Sequence, residues 1–144
     1  MIEIFNTLNK IDEREEYLKK IGETEETLLE MALVGTIDDT LYIKIYGGEG
    51  PVPHFHFYSA QDNRKGCIKI LEASYFIHGN NLDTLKRWEV KELVEWLQEE
   101  CSYAKKRKLN LSNWECICML WDQNNPEYEL ENPSPNIPDY STYL

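Results

Sequence analysis

The chain has 144 residues, with 26 Asp and Glu against 15 Lys and Arg, a formal charge of −11, and it is 42% hydrophobic and 12% aromatic. That length predicts one domain with a sizeable core, and the apolar share excludes an intrinsically disordered chain. The acid excess excludes bulk nucleic-acid binding, which needs a basic face to displace counterions, and it argues against an acidic membrane as partner.

Residues 1–38 read as a helical N-terminal region. Asp12-Glu-Arg-Glu15 matches a capping box, Gly22 is a stop, and Thr24 caps a second helix whose apolar edge is Leu28, Leu29 and Leu33. Eight acids and three bases between residues 12 and 30 make the exposed face negative. Met1–Phe5 lacks the basic-then-apolar pattern of a secretory leader, and no apolar run is long enough to span a bilayer, so the expected location is the cytoplasm.

From residue 40 to 78 the period is two. Leu41, Ile43 and Ile45 alternate with Tyr42, Lys44 and Tyr46. Gly47-Gly-Glu-Gly-Pro-Val-Pro53 turns the chain into a second strand, His54-Phe-His-Phe-Tyr58, and a polar turn at 61–66 leads to a third around Cys67-Ile-Lys-Ile-Leu71. Two short connections imply hairpins. The expected fold is therefore α+β, a small antiparallel three-stranded meander packed against several helices.

Helices occupy residues 85–124. Val90, Leu93, Val94, Leu97 and Cys101 recur on one face, and Ser112-Asn-Trp-Glu115 is a capping box that opens a helix with the stripe Trp114, Ile117, Cys118, Trp121. The basic run Lys105, Lys106, Arg107, Lys108 complements the end of the preceding helix, forming either a solvated surface or an anion contact. Residues 125–144 hold four of the six prolines, three tyrosines and no base, which predicts an extended tail. Tyr128, Ile137, Tyr140 and Tyr143 either anchor that tail to the domain or meet a partner. The four cysteines, with no C-x-x-C pair, read as small apolar residues.

The three histidines all lie between residues 54 and 78. His54 and His56 alternate with Phe55 and Phe57, so both imidazoles share one face of a strand and are candidate metal ligands. His78 is the candidate third ligand or general base, provided the third strand extends that far, and the candidate carboxylates are Asp62, Glu72 and Asp83. The alternative is structural: imidazoles under a helix, satisfying backbone carbonyls. Phosphate-loop, dinucleotide and nucleophile-elbow motifs are absent, Gly47–Gly50 reads as a turn, and nothing in the sequence lowers the Cys67 pKa for a Cys-His nucleophile.

Leu41–Tyr46, Pro53-His-Phe-His-Phe57 and Lys91-Glu-Leu-Val-Glu-Trp-Leu97 together resemble a family of small prokaryotic proteins of unknown function, found in genomes and mobile elements, whose hallmark is a Pro-His-Phe-His strand. Tyr75-Phe76-x-His78, Asn113-Trp114-Glu115, Leu120-Trp121, Asn125-Pro126 and Pro138-Asp139-Tyr140 are similar in order to longer prophage and gut-anaerobe members. The likeness covers about residues 40–144 and implies no activity. The matched residues are mainly aromatic and apolar, the histidines being the polar exceptions.

Two functions are expected. One is a small acidic intracellular interaction domain, such as an inhibitor or masking protein from a phage or mobile element, that needs no cofactor and binds a basic or nucleic-acid-binding protein. Lys105, Lys106, Arg107, Lys108 and Tyr140 are then the candidate contacts. The other is a metal-dependent hydrolase or nuclease-like toxin, with zinc or a similar divalent ion on His54 and His56. The 36 residues from Leu109 onward hold six acids and no base. Both ends of the chain are thus acidic, around a middle that carries every histidine.

Overall fold

A computed structural model describes residues 31–144 of the chain. The capping box at Asp12–Glu15 and the helix start at Thr24 lie outside the described residues. Strands β1 (Met31–Ile37), β2 (Leu41–Tyr46), β3 (His54–Ser59) and β4 (Arg64–Lys69) form one antiparallel sheet in the order β1-β2-β3-β4. The class is α+β as expected, but the sheet has four strands, not three.

The added strand is β1, within the region expected to be helical. Its pairing runs from Met31 opposite Tyr46 to Ile37 opposite Leu41, which gives the outer edge of β2 hydrogen-bonding partners. Val34, Thr36 and Ile37 are β-branched and suit a pleated surface better than a helix. The tight turn after Ile37 places both Asp38 and Asp39 at positive φ, a conformation Asp tolerates and short hairpins use. Ala32, Val34 and Ile37 are thereby buried, and a register shift between Leu33 and Gly35 lets the strand bend around the Trp96 ring.

Alternation sorts the sheet into two faces. Ile43, Phe55, Phe57, Ile68 and Ile70 lie in the apolar core. Directly paired across the strands on the other face stand Lys44, His56 and Cys67. Helix α1 (Arg87–Gln98), α2 (Ser102–Lys106), α3 (Asn113–Asn124) and α4 (Tyr140–Tyr143) complete the regular structure among the described residues, with a 3-10 turn at Pro126–Tyr128. Helix α3 packs on β1, β2 and β3, burying Ile117, Leu120 and Trp121. Its capping box forms as expected: the Ser112 hydroxyl accepts from Glu115 N–H at 3.1 Å, and the Glu115 carboxylate accepts from Ser112 N–H at 2.9 Å. Helix α1 stops at Gln98, and Cys101 is the cap of α2. Between them Asn113 donates its side-chain N–H to the carbonyl of Trp96 and holds the break.

The tail has little regular structure yet is tied down along its length. Trp121 and Trp114 donate their indole N–H groups to the carbonyls of Tyr128 and Pro135, at 2.9 and 2.6 Å. Tyr140 is fully buried, and its hydroxyl donates to the Lys69 carbonyl on β4. This corrects its candidacy as a partner contact: an aromatic ring meeting Phe55 and Trp114 in the core anchors the tail. All four cysteines are free and buried, as expected of small apolar residues. No helix among the described residues is long and apolar enough to cross a membrane.

Candidate metal centre

Both imidazoles of β3 project from the face opposite the Phe pair, as the alternation requires. His54 donates from Nδ1 to the carbonyl of Val52 at 2.7 Å. A carbonyl can only accept, so this bond assigns the ring proton to Nδ1 and leaves Nε2 of the neutral ring as a lone pair. That Nε2 is buried and has no hydrogen-bond partner among the described residues. Its nearest charged neighbour is Oε1 of Glu49 at 3.7 Å, another acceptor. Two acceptors facing one another in a dry site is an unfavourable arrangement that a cation between them relieves.

Glu49 comes from the Gly47–Gly50 turn, which is a turn as expected but also delivers the carboxylate of the site. Asn125, buried at the end of α3, secures it. Its Oδ1 accepts from Glu49 N–H at 2.9 Å, while its amide donates to the carbonyls of Tyr46 and Trp121. Gly50 packs so closely on the Tyr128 ring that a Cβ there would overlap it. The turn is therefore held by the tail on one side and by β2 on the other.

His78 reaches the site without lying in β4. After Lys69 the chain doubles back, and Phe76 N–H donates to Cys67 carbonyl at 2.9 Å, so that residues 74–78 run antiparallel beside β4. A bridge between Ile68 and Tyr75 and another between His78 and Asn81 mark this return. The strand expected to carry His78 ends at Lys69, and it is the returning loop that brings His78 beside the pair.

The four residues converge. Glu49 Oε1 lies 2.6 Å from His56 Nε2, and Oε2 lies 2.6 Å from His78 Nε2. One ligand atom from each of Glu49, His54, His56 and His78 falls within 4.8 Å of all the others. Tetrahedral coordination with bonds of about 2.0–2.1 Å separates its donor atoms by about 3.3 Å, so small side-chain shifts admit an ion. These residues lie close enough to hold a metal. Three imidazoles and one carboxylate form a donor set that suits a divalent transition ion.

Burial drives the His56 pKa down to about 4, the neighbouring Glu49 only partly opposing it and His54 and Lys44 reinforcing it. The Glu49 carboxyl is held below its ordinary value: burial pushes it up, but the hydrogen bond to His56 and the nearness of the two β3 imidazoles outweigh that. On the far side of His56, the Cys67 sulfur lies 3.3 Å from Nδ1. A thiol is both a weak donor and a weak acceptor, so it accommodates either tautomer of the ring. Burial raises the Cys67 pKa to about 12, which leaves a thiol and no nucleophilic thiolate.

The remaining candidates lie elsewhere. Asp62 pairs with Arg64 and Lys86, Glu72 with Lys69, and Asp83 accepts from Lys65 N–H; none is part of the cluster. Lys105 and Lys106 end α2, Lys105 approaching Glu100 at 3.8 Å, Arg107 stacks on Tyr103, and Lys108 turns the chain at positive φ. None of these four lines the pocket beside the cluster. Glu49 was missed in the sequence, where its one signal was a lone acid in a glycine-rich turn just ahead of His-x-His.

No family model, curated protein or solved structure matches this chain. The reading of the site therefore rests on its own geometry. A pocket of about 230 Å³ opens beside it, lined by Lys44, Tyr46, Lys65 and Asn81 together with Glu49, His56 and His78. A larger cavity of about 610 Å³ runs along α1 near Trp88 and Val94, but it is mainly apolar and no cluster of ligating groups among the described residues faces it.

Proposed function

We propose that the chain is a metal-dependent hydrolase with a mononuclear centre held by Glu49, His54, His56 and His78. The observation that carries this reading is the buried lone pair of His54 Nε2, which faces the Glu49 carboxylate with no donor from the described residues between them. The large majority of buried side-chain polar atoms in folded proteins have a hydrogen-bond partner, and this one faces an acceptor instead. A divalent ion such as zinc would supply Lewis acidity there, and an activated water at neutral pH once its coordination expands to five or one of the four donors gives way.

The protein's part is to position. Val52 and Cys67 orient the His54 and His56 rings from behind, in the manner of outer-shell partners that aim imidazoles at a metal. Asn125 fixes the backbone that carries Glu49. His78, with its side chain 39% exposed, is the ligand nearest solvent and faces the pocket, so its side of the centre is the one that water or substrate reaches. The interaction-domain reading loses one support, because the tail that suited a partner is packed into the domain through Tyr140 and the two indoles.

The test is metal content after dialysis against zinc, followed by removal of excess. Stoichiometric zinc is expected in the parent chain, and its loss in Glu49→Gln and in the double variant His54→Ala, His56→Ala. A folded parent chain that retains no zinc, cobalt, manganese or iron removes the proposal.

A further inference from the structure

The pocket beside the centre has a wall whose charge is unusual for so acidic a chain. Among the described residues, the only carboxylate lining it is Glu49, whereas Lys44 and Lys65 both line it. Lys44 stands directly across the strand pair from His56 and is only 3% exposed. Lysine is almost never kept so dry without compensation. Part of that compensation is aromatic: its Nζ lies 5.1 Å from the Tyr46 ring centroid and 5.9 Å from that of Tyr58, and Lys65 Nζ lies 5.7 Å from the same Tyr58 ring. Both lysines have further partners as well. What they contribute to the pocket is fixed positive charge in its wall, not spare donors.

We propose that this pocket binds a small phosphate-class oxyanion between the metal of the Glu49–His54–His56–His78 centre and the ammonium groups of Lys44 and Lys65. The inference rests on the metal reading above and names the substrate class for it. A divalent ion would stand beside the two ammonium groups that this wall brings to the same volume, with Glu49 the only lining carboxylate among the described residues. A metal ion and two ammonium groups beside one volume match a dianion with several oxygens better than a flat monoanionic carboxylate. At about 230 Å³ the pocket is smaller than the roughly 300–1,000 Å³ of sites for drug-sized ligands. It takes a free small anion or the phosphoryl end of a larger molecule.

The experiment is calorimetric titration of inorganic phosphate, with acetate in parallel, into the full chain loaded with zinc and dialysed free of excess. Phosphate is expected to bind more tightly than acetate, and at least tenfold more tightly than to the metal-free chain. Lys44→Met should weaken phosphate at least tenfold while zinc content stays at the parent level. Lys65→Met, at a less buried position, should weaken it severalfold and keeps the test alive if the Lys44 variant does not fold. Phosphate bound equally well without metal, acetate preferred over phosphate, or no loss in any folded lysine variant overturns the inference. Zinc retained with no phosphate bound sinks this inference alone, whereas no zinc retained sinks the proposed function with it.

Discussion

Two glutamates show how differently this fold treats a buried carboxylate. Glu89, in the first turn of α1, accepts from Lys86 N–H at 2.7 Å and takes the Arg64 guanidinium at 2.8 Å. Every partner it meets is a donor, and one is a permanent cation. Glu49 meets three imidazoles, of which His54 turns an unmatched lone pair toward it. The first arrangement is complete as it stands and works as a strut between β4 and α1. The second leaves an acceptor unmatched among the described residues, and that is the place the proposed metal would fill.

The comparison is sharpest where the strut is cut. Glu89→Ala should destabilise the fold by about 3 kcal/mol, because it leaves a largely buried guanidinium without its main partner; Arg64 keeps some solvent and Asp62, which sets the loss at the low end for a broken buried pair. The urea midpoint measures it, and a loss too small to measure would deny Glu89 its structural role.

Zinc should act in the opposite way at the other glutamate. At a free concentration 100-fold above Kd, binding adds about 2.7 kcal/mol of stability. The melting temperature should rise with zinc and return with a chelator, in the parent chain and in any folded Glu89 variant, but not in Glu49→Gln. A Glu49→Gln protein that gains as much from zinc as the parent would make the two carboxylates alike.

A scale between the two comes from Tyr140→Phe, which removes only the hydroxyl that donates to the Lys69 carbonyl. The expected cost is about 1 kcal/mol by denaturant unfolding, with the gain from zinc untouched. If that gain falls as well, the tail is coupled to the centre through more than the Asn125 contact.

The smallest effect belongs to the exposed rim of the strut. Hydrogen bonds from Arg64 and then Ser59 depress the Asp62 pKa to about 2, below its ordinary value of 3.8. A depressed folded-state pKa contributes stability that is present above 3.8 and is lost as pH falls through about 2. Asp62→Asn should therefore be slightly less stable than the parent near neutral pH and equal to it below pH 2. Added salt should shrink the difference at neutral pH, because exposed pairs are screened.

Much of the sheet and two helices were legible because they follow from period. His54 and His56 had to share a face once residues 54–58 were a strand, and Ser112 to Glu115 carried its own cap. Strand β1 was hidden: seven residues with a glycine and an N-terminal neighbourhood rich in acids resemble the flank of a helix, and only pairing with β2 makes them a strand. Glu49 was hidden for a related reason. A turn glutamate has no period, and its meaning depends on Asn125, 76 residues away, fixing where the turn points.

The sequence by itself determined the acid excess, the alternation that puts both β3 imidazoles on one face, and the chemistry available there, since these depend on composition and on backbone geometry two residues at a time. Tertiary structure alone decided that Glu49 and His78 meet that pair, that Tyr140 is core, and that lysines line the pocket of a chain with net charge −11. Those outcomes depend on where loops return in space. A loop's path is set by the few long-range hydrogen bonds and packed rings that hold its ends, and these have no signature along the chain.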